Sequence, residues 1–199
     1  FDQVHAYAKA GGNDLARLNG SAGDDTFVSD HAAGYARMIT GETSSRVKFF
    51  ERVEAYATTG GNDVATLRGT AGDDAFVADP VSATLTTAGM VTQAMRFTTA
   101  AAIAGDGGTD TAELNDSPGA EVFTATPTQA SLKGKAFELV AKAFDEVHAY
   151  ARAGGSDTAV LYGSTGDDTY VGTADYGKLA GVGYFVRAKF FEEVVVHGM

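Results

Sequence analysis

The stretch FDQVHAYAKAGGNDLARLNGSAGDDTFV, residues 1–28, decides the fold because the chain contains it more than once. FERVEAYATTGGNDVATLRGTAGDDAFV, residues 50–77, aligns with it without a gap, and residues 97–124 and 144–171 are two further copies. A fifth copy begins with FEEVVVHGM at residue 191. Recurrence over such a length indicates a repeat protein in which each unit is one supersecondary structure stacked on the next.

The repeat boundaries follow from the leading phenylalanines, which lie 49, 47, 47 and 47 residues apart. The two additional residues of the first repeat fall in the loop after Val28. We therefore divide one continuous solenoid into repeats at 1–49, 50–96, 97–143 and 144–190, followed by the start of a fifth repeat at 191–199.

Apolar residues within each repeat recur at every second position, which is typical of short strands. The second segment keeps an alanine and a leucine two residues apart, as in Ala16 and Leu18, and the third places an aromatic residue such as Phe27 after an acidic glycine turn. A helix is an alternative for the opening segment, because apolar residues within 137–151 also follow a helical spacing that ends at Gly154. The equivalent residues of the third and fifth repeats are rich in Thr, Ile and Val, which favours a strand.

The strand pattern predicts an all-β fold, a parallel β-solenoid of the β-helix or β-roll kind. Two coils of roughly 23 residues per repeat are the expected arrangement, with one wide coil as the alternative. Four repeats would then form a rod about 40 Å long, since stacked strands lie about 4.8 Å apart.

The composition excludes several classes of function. The 199 residues carry a formal net charge of −11, which argues against nucleic-acid partners and favours cationic ones. Without cysteine the chain has no disulfide, thiolate metal site or cysteine nucleophile. No apolar run reaches about 18 residues, so we expect no membrane insertion.

The acidic glycine turns GSAGDDTFV (20–28), GTAGDDAFV (69–77) and GSTGDDTYV (163–171) carry the strongest chemical signal. They resemble, in degenerate form, the nonapeptide of RTX (hemolysin-type) calcium-binding β-rolls. This resemblance implies calcium as a cofactor, with Asp25, Asp74 and Asp168 as ligands and Asp24, Asp73 and Asp167 beside them. Carboxylate and carbonyl oxygens are the ligands that calcium takes in proteins.

The turns also depart from that family, because the motif occurs once per repeat instead of back to back. The alternative interpretation is that Asp and Gly only form turns. The third repeat has Ala120 and Glu121 where the others have the acidic pair, which suggests that the fold tolerates its loss. Aspartates follow the double glycine in all four repeats, and we expect them to bond their own turns: Asp14, Asp63, Asp110 and Asp157.

No catalytic constellation stands out, so we expect no enzyme activity and no catalytic residue. A remote alternative, by analogy with other β-helices, is an enzyme that acts on polysaccharide. Tyr7, Tyr56 and Tyr150 recur on the opening segment, where they predict either a stacked aromatic row or a platform for a carbohydrate.

The whole repeat, including the later A-x-L-K-G, resembles tandem segments of very large predicted surface proteins of aquatic bacteria. The resemblance implies an extracellular or cell-surface address and a structural or adhesive role, with a surface or glycan partner. Repeat phase holds at both Phe1 and Phe191, so either the natural chain continues or copies self-associate end to end. The expected function is a stalk or fibre segment, and the alternative is a calcium-dependent adhesin or secreted binding module.

Overall fold

The regular elements of the residues that the structure describes are all β-strands. The computed structural model describes residues 2–58 and 60–198. Its strands are β1 (Gln3–Tyr7), β2 (Leu15–Asn19), β3 (Asp25–Asp30), β4 (Tyr35–Thr40), β5 (Thr43–Lys48), β6 (Arg52–Tyr56), β7 (Val64–Arg68), β8 (Ala75–Ala78), β9 (Ser82–Thr86), β10 (Val91–Met95), β11 (Thr99–Ile103), β12 (Thr111–Asn115), β13 (Val122–Ala125), β14 (Gln129–Lys133), β15 (Glu138–Lys142), β16 (Glu146–Tyr150), β17 (Thr158–Tyr162), β18 (Thr169–Gly172), β19 (Tyr176–Gly181), β20 (Tyr184–Lys189) and β21 (Glu193–His197).

These strands form two sheets of a parallel β-solenoid, which confirms the predicted fold class. Sheet I has eleven strands in the order β1-β5-β4-β3-β7-β11-β15-β14-β13-β17-β21, and sheet II has ten in the order β18-β19-β20-β16-β12-β8-β9-β10-β6-β2. Residues 138–142 and 146–150 are strands, so the helix alternative for this segment is wrong. The described residues include no helix long and apolar enough to cross a bilayer.

Each repeat passes between the sheets three times, so the expectation of two coils per repeat is wrong. The first two strands of a repeat lie in opposite sheets, and the last three form one antiparallel meander in a single sheet. Because three is odd, the next repeat begins in the other sheet. Consecutive repeats are therefore related by a half-turn about the long axis, and their meanders alternate between sheet I and sheet II.

This topology sets the dimensions of the rod. Five strands shared between two sheets advance each sheet by two and a half strand spacings per repeat, or about 12 Å. The stack of eleven strands in sheet I is about 50 Å long, somewhat more than the length expected from the sequence.

The core consists of inward-facing residues between the two sheets. Phe27, Phe76 and Phe123 are 0%, 1% and 0% exposed, and each pairs with an alanine of the next repeat across parallel strands. Each ring also contacts the leading phenylalanine two repeats later, with ring centroids 5.9–6.1 Å apart: Phe27–Phe97, Phe76–Phe144 and Phe123–Phe191. The alternation of large and small residues lets the sheets pack closely and holds the acidic turns at the margins.

Candidate functional site at the acidic turns

The acidic turns connect the second and third strands of each repeat and lie on two opposite edges of the solenoid. We call edge 1 the side where the chain passes from sheet II to sheet I, and edge 2 the opposite side. The turns 20–25 and 116–121 lie on edge 1, whereas 69–74 and 163–168 lie on edge 2.

The half-turn between repeats keeps the predicted acidic pairs apart. On one edge, equivalent turns are separated by five strand spacings, from β3 to β13, which is about 24 Å. An ion with ligands at about 2.3–2.6 Å cannot join pairs at that distance. The structure brings together the two acids of one pair but not the pairs of different repeats.

The second acid of each pair closes its own turn. The Asp25 carboxylate accepts hydrogen bonds from the Ser21 backbone amide at 2.6 Å and the Ser21 hydroxyl at 2.9 Å. Thr70 bonds Asp74 in the same way, and Ser164 bonds Asp168. Asp25 and Asp74 are each 1% exposed. Buried carboxylates are stable here because charge-assisted hydrogen bonds replace water.

A second set of aspartates links neighbouring coils. The backbone amide of Asp25 donates to Asp63 Oδ1 at 2.9 Å, that of Asp74 to Asp110 Oδ1 at 2.8 Å, and that of Glu121 to Asp157 Oδ1 at 2.8 Å. The expectation that these three aspartates bond their own turns is therefore wrong, because their side chains bind the turn of the preceding repeat.

The link extends one coil further through the second residue of a repeat. The amides of Asp14, Asp110 and Asp157 donate to the carboxylates of Glu51, Asp145 and Glu192 at 2.7–2.8 Å. We call each such series of acids a carboxylate ladder; the longest are Asp74–Asp110–Asp145 on edge 2 and Glu121–Asp157–Glu192 on edge 1. Sequence reasoning missed Glu51, Asp145 and Glu192, although an acid recurs directly after the leading phenylalanine in four of the five copies.

The first acids of the pairs also bind the next coil. Asp24 Oδ1 accepts from the Asn62 amide at 2.7 Å, and Asp73 Oδ1 accepts from the Thr109 amide at 2.8 Å. Asp24, Asp73 and Asp167 are exposed, so water reaches their carboxylates. Calcium binding at the six predicted aspartates stays a prediction.

The third repeat keeps its acids in a different arrangement. Asp116 occupies the position of Gly20 and Gly69, and its Oδ2 accepts from the Ala153 amide at 2.8 Å, as Asp24 does for its neighbour. Glu121 takes the place of Asp25 and accepts from the Ser117 hydroxyl at 2.5 Å. The third repeat therefore keeps the same fold without the consensus acidic pair, and it supplies its two carboxylates from Asp116 and Glu121.

Burial and mutual repulsion change the acidity of the ladder. Burial raises the pKa of Asp63, Asp110 and Asp157 above the ordinary aspartate value, and neighbouring carboxylates raise it further. Asp168 differs, because the Tyr184 hydroxyl donates to it at 2.7 Å and lowers its pKa. Carboxylates therefore lie close together along both edges, and burial and repulsion make Asp63, Asp110 and Asp157 harder to ionise.

One group of acids converges more closely than a ladder requires. One carboxylate oxygen from each of Asp116, Glu121 and Asp157 lies within 4.8 Å of one from each of the other two, and all three residues are buried. Sequence reasoning missed this group because it looked for the consensus acidic pair, which the third repeat lacks.

The tyrosines do not form the predicted row. Tyr7 lies on β1 in sheet I, whereas Tyr56 and Tyr150 lie in sheet II on β6 and β16, five strands apart. The Tyr56 hydroxyl donates to Glu54, and Arg187 donates to the Tyr150 hydroxyl. The stacked-row interpretation is therefore wrong, and a glycan partner stays a prediction.

The chain matches no protein-family model, no curated protein and no solved structure.

Proposed function

We propose that this protein is an extracellular structural repeat protein, a segment of a cell-surface stalk or fibre whose copies associate end to end. The observation that carries the proposal is the exposure of core-type side chains at both ends of the rod. Tyr170 is 44% exposed, although its counterparts Phe27 and Phe76 are 0% and 1% exposed. At the other end Val4 is 47% exposed and its counterpart Val53 is fully buried.

A second copy stacked in repeat phase would cover these side chains. Within the chain, β8 pairs with β12 in parallel, with Val77 opposite Glu113. By the same geometry β18 of one copy pairs with β2 of the next, which places Val171 opposite Arg17. β1 and β21 are both opening strands of a repeat, so they compete for one place in sheet I and stacking displaces one of them.

A structural role also fits the chemistry of the acids. The acids of the turns recur with the repeat, and their carboxylate oxygens accept hydrogen bonds from backbone amides of neighbouring coils. Groups that serve every coil in the same way support rigidity and length, and we propose no enzymatic reaction. The extracellular address rests on the resemblance of the repeats to bacterial surface proteins.

The alternative is a calcium-dependent adhesin or secreted binding module. It is favoured by the exposed carboxylates of Asp24, Asp73 and Asp167, which water and ions can reach. This alternative requires that calcium bind at these acidic pairs, and that replacing their aspartates by asparagine abolish calcium binding.

The proposed stacking is tested by disulfide trapping, which suits a chain without cysteine. In the double variant Val171→Cys, Arg17→Cys, adjacent strands bring the two Cα atoms of different copies to about 5 Å, within disulfide range. We expect mild oxidation to give a series of bands for covalent dimers, trimers and longer species on a denaturing gel, and we expect reductant to remove these bands.

The matched control is Val171→Cys, Glu113→Cys, because Glu113 is the counterpart of Arg17 in the middle of the rod. Stacking in repeat phase never brings Glu113 next to Val171 of another copy. End-to-end association is disproved if the first variant stays monomeric under oxidation, or if the two variants cross-link to the same extent.

A further inference from the structure

The buried acids Asp116, Glu121 and Asp157 form a group that the protein does not neutralise with its own cations. Asp116 is 9% exposed, and Glu121 and Asp157 are each 1% exposed. None of the ion pairs between described residues includes any of the three. Uncompensated charges at this depth are costly, and proteins pair them or place a metal ion between them.

The hydrogen bonds of the group leave one buried oxygen without a partner. Asp157 Oδ1 accepts from the Glu121 amide, Asp116 Oδ2 from the Ala153 amide, and Glu121 from Ser117. Asp157 Oδ2 is fully buried and accepts no hydrogen bond from the described residues. It belongs to a carboxylate that has an oxygen within 4.8 Å of oxygens of Asp116 and Glu121, and it has no other partner that would compete with an ion.

The spacing of the oxygens allows a single calcium ion to contact all three carboxylates. Oxygens bound to one calcium ion lie at most about 4.6–5.2 Å apart, which is twice the calcium–oxygen distance. The three carboxylate oxygens are within 4.8 Å of one another. Hard carboxylate oxygens without nitrogen or sulfur ligands favour calcium over zinc and copper, and magnesium keeps several waters and is seldom held by protein oxygens alone.

The group is a property of the third repeat. In the other acidic turns the position of Asp116 is Gly20, Gly69 or Gly163. At Gly20 and Gly69 a Cβ would overlap the carboxylate that closes the turn. The third repeat accepts a side chain there because its turn is closed by the longer Glu121, and the result is a third carboxylate where the equivalent sites have two.

We propose that Asp116, Glu121 and Asp157 bind one calcium ion, which ties the third acidic turn to the following coil. Glu121 occupies the position of the second acid in the pairs of the other repeats, but the site gains Asp116 as a third carboxylate. It does not depend on end-to-end association, since all three ligands belong to one chain.

Isothermal titration of the full chain with calcium chloride tests the site. We expect one calcium per chain, and we expect Asp157→Asn and Asp116→Asn each to weaken binding about tenfold or more, because each removes a charged ligand. Asparagine keeps a carbonyl oxygen for the Glu121 or Ala153 amide, so circular dichroism should show both variants folded without calcium.

The matched controls lie in the equivalent sites. Asp63→Asn makes the same change beside Gly20, where the third carboxylate is missing, and should leave the calcium affinity unchanged. The triple variant Asp24→Asn, Asp73→Asn, Asp167→Asn should also bind one calcium with unchanged affinity. The inference is overturned if the chain binds no calcium, or if folded Asp116→Asn and Asp157→Asn variants bind it as tightly as the original chain. Loss of binding in the triple variant alone would assign the ion to the acidic pairs.

Discussion

At the scale of single residues, the acidic turn depends on a glycine that leaves room for a carboxylate. Gly69 lies against Asp74, whose oxygens accept from the amide and hydroxyl of Thr70. A Cβ at Gly69 would overlap the Asp74 carboxylate, although the backbone of Gly69 has no positive φ. The glycine is therefore required for space, not for backbone conformation.

We expect Gly69→Ala to lower the free energy of unfolding by about 2 kcal/mol, because displacing the carboxylate leaves buried polar groups unsatisfied. The control is Gly72→Ala in the same turn, where the nearest atom to an added Cβ is Thr70 Oγ1 at 3.8 Å. Urea denaturation of both variants measures the difference. Equal stability of the two would show that the carboxylate does not need its present position.

The sequence predicts the turns at these residues but not what they bind. Glycine and aspartate signal a turn through local chemistry, which a single repeat displays in full. The bonds from Asp25 to Asp63 and from Asp74 to Asp110 join residues 38 and 36 positions apart. Their existence depends on the number of passes per repeat, which no local pattern contains.

At the scale of elements, the first three strands of each repeat were predictable and the meander was not. The first three keep their apolar spacing in nearly every copy, because they form the parallel ladders between repeats. The turns between the last two strands read TGET (40–43), TAGM (87–90), GKAF (134–137) and GVGY (181–184). Since a hairpin turn has only to join its own two strands, each repeat uses a different turn sequence and the pattern is lost.

The corner between the last strand of one repeat and the leading phenylalanine of the next has a left-handed backbone conformation that no glycine in the sequence indicates. Phe49, Arg96, Ala143 and Phe190 stand at this corner with φ of 65°, 63°, 58° and 69°. The left-handed region costs a non-glycine residue about 1 kcal/mol or more in conformational energy. The recurrence of this conformation in residues as different as Phe, Arg and Ala shows that the topology imposes it.

We expect Ala143→Gly to raise the free energy of unfolding by about 0.5 kcal/mol, because the relief of about 1–2 kcal/mol of left-handed strain exceeds the cost of about 0.5–1 kcal/mol from the greater chain entropy of glycine. Ala143 is exposed, so the substitution removes little packing. Ala101→Gly, the same change in the middle of β11, should instead lower stability by a similar amount. Thermal unfolding of both variants separates them, and a loss of stability in Ala143→Gly would disprove strain at this corner.

At the scale of the whole molecule, the half-turn between repeats explains why each large ring meets the phenylalanine two repeats later. Only every second repeat has its meander in the same sheet, so like elements meet with a period of two repeats. Other contacts must then hold the two sheets together between these ring pairs. One of them is a buried histidine that joins the meander of repeat 1 to the meander of repeat 2.

His31 lies after β3 in sheet I and bonds two threonines of the meander in sheet II. Its Nδ1 is 3.1 Å from Thr87 Oγ1 and its Nε2 is 2.9 Å from Thr92 Oγ1, and the residue is 8% exposed. Burial lowers the pKa of His31 to about 4, although Asp74 and Asp30 act in the opposite direction. The native protein therefore contains this histidine in its neutral form.

The sign of the pH dependence follows from the lowered pKa of His31. In the unfolded chain a histidine has a pKa of about 6.5, so between pH 6.5 and 4 the unfolded state binds the additional proton and stability falls as the pH falls. The raised pKa values of Asp63 and Asp110 have the opposite effect, because protonation of these groups stabilises the folded state as the pH falls. This effect is confined to pH values between their ordinary and their raised pKa.

We expect the titration of His31 to lower the free energy of unfolding by about 2 kcal/mol between pH 7 and pH 4.5. The comparison is with His31→Gln, which keeps an amide for the threonines and cannot titrate; urea denaturation at both pH values should show a smaller loss in the variant by that amount. An equal loss in both proteins would mean that His31 is not the group through which acid loosens the contact between the two sheets.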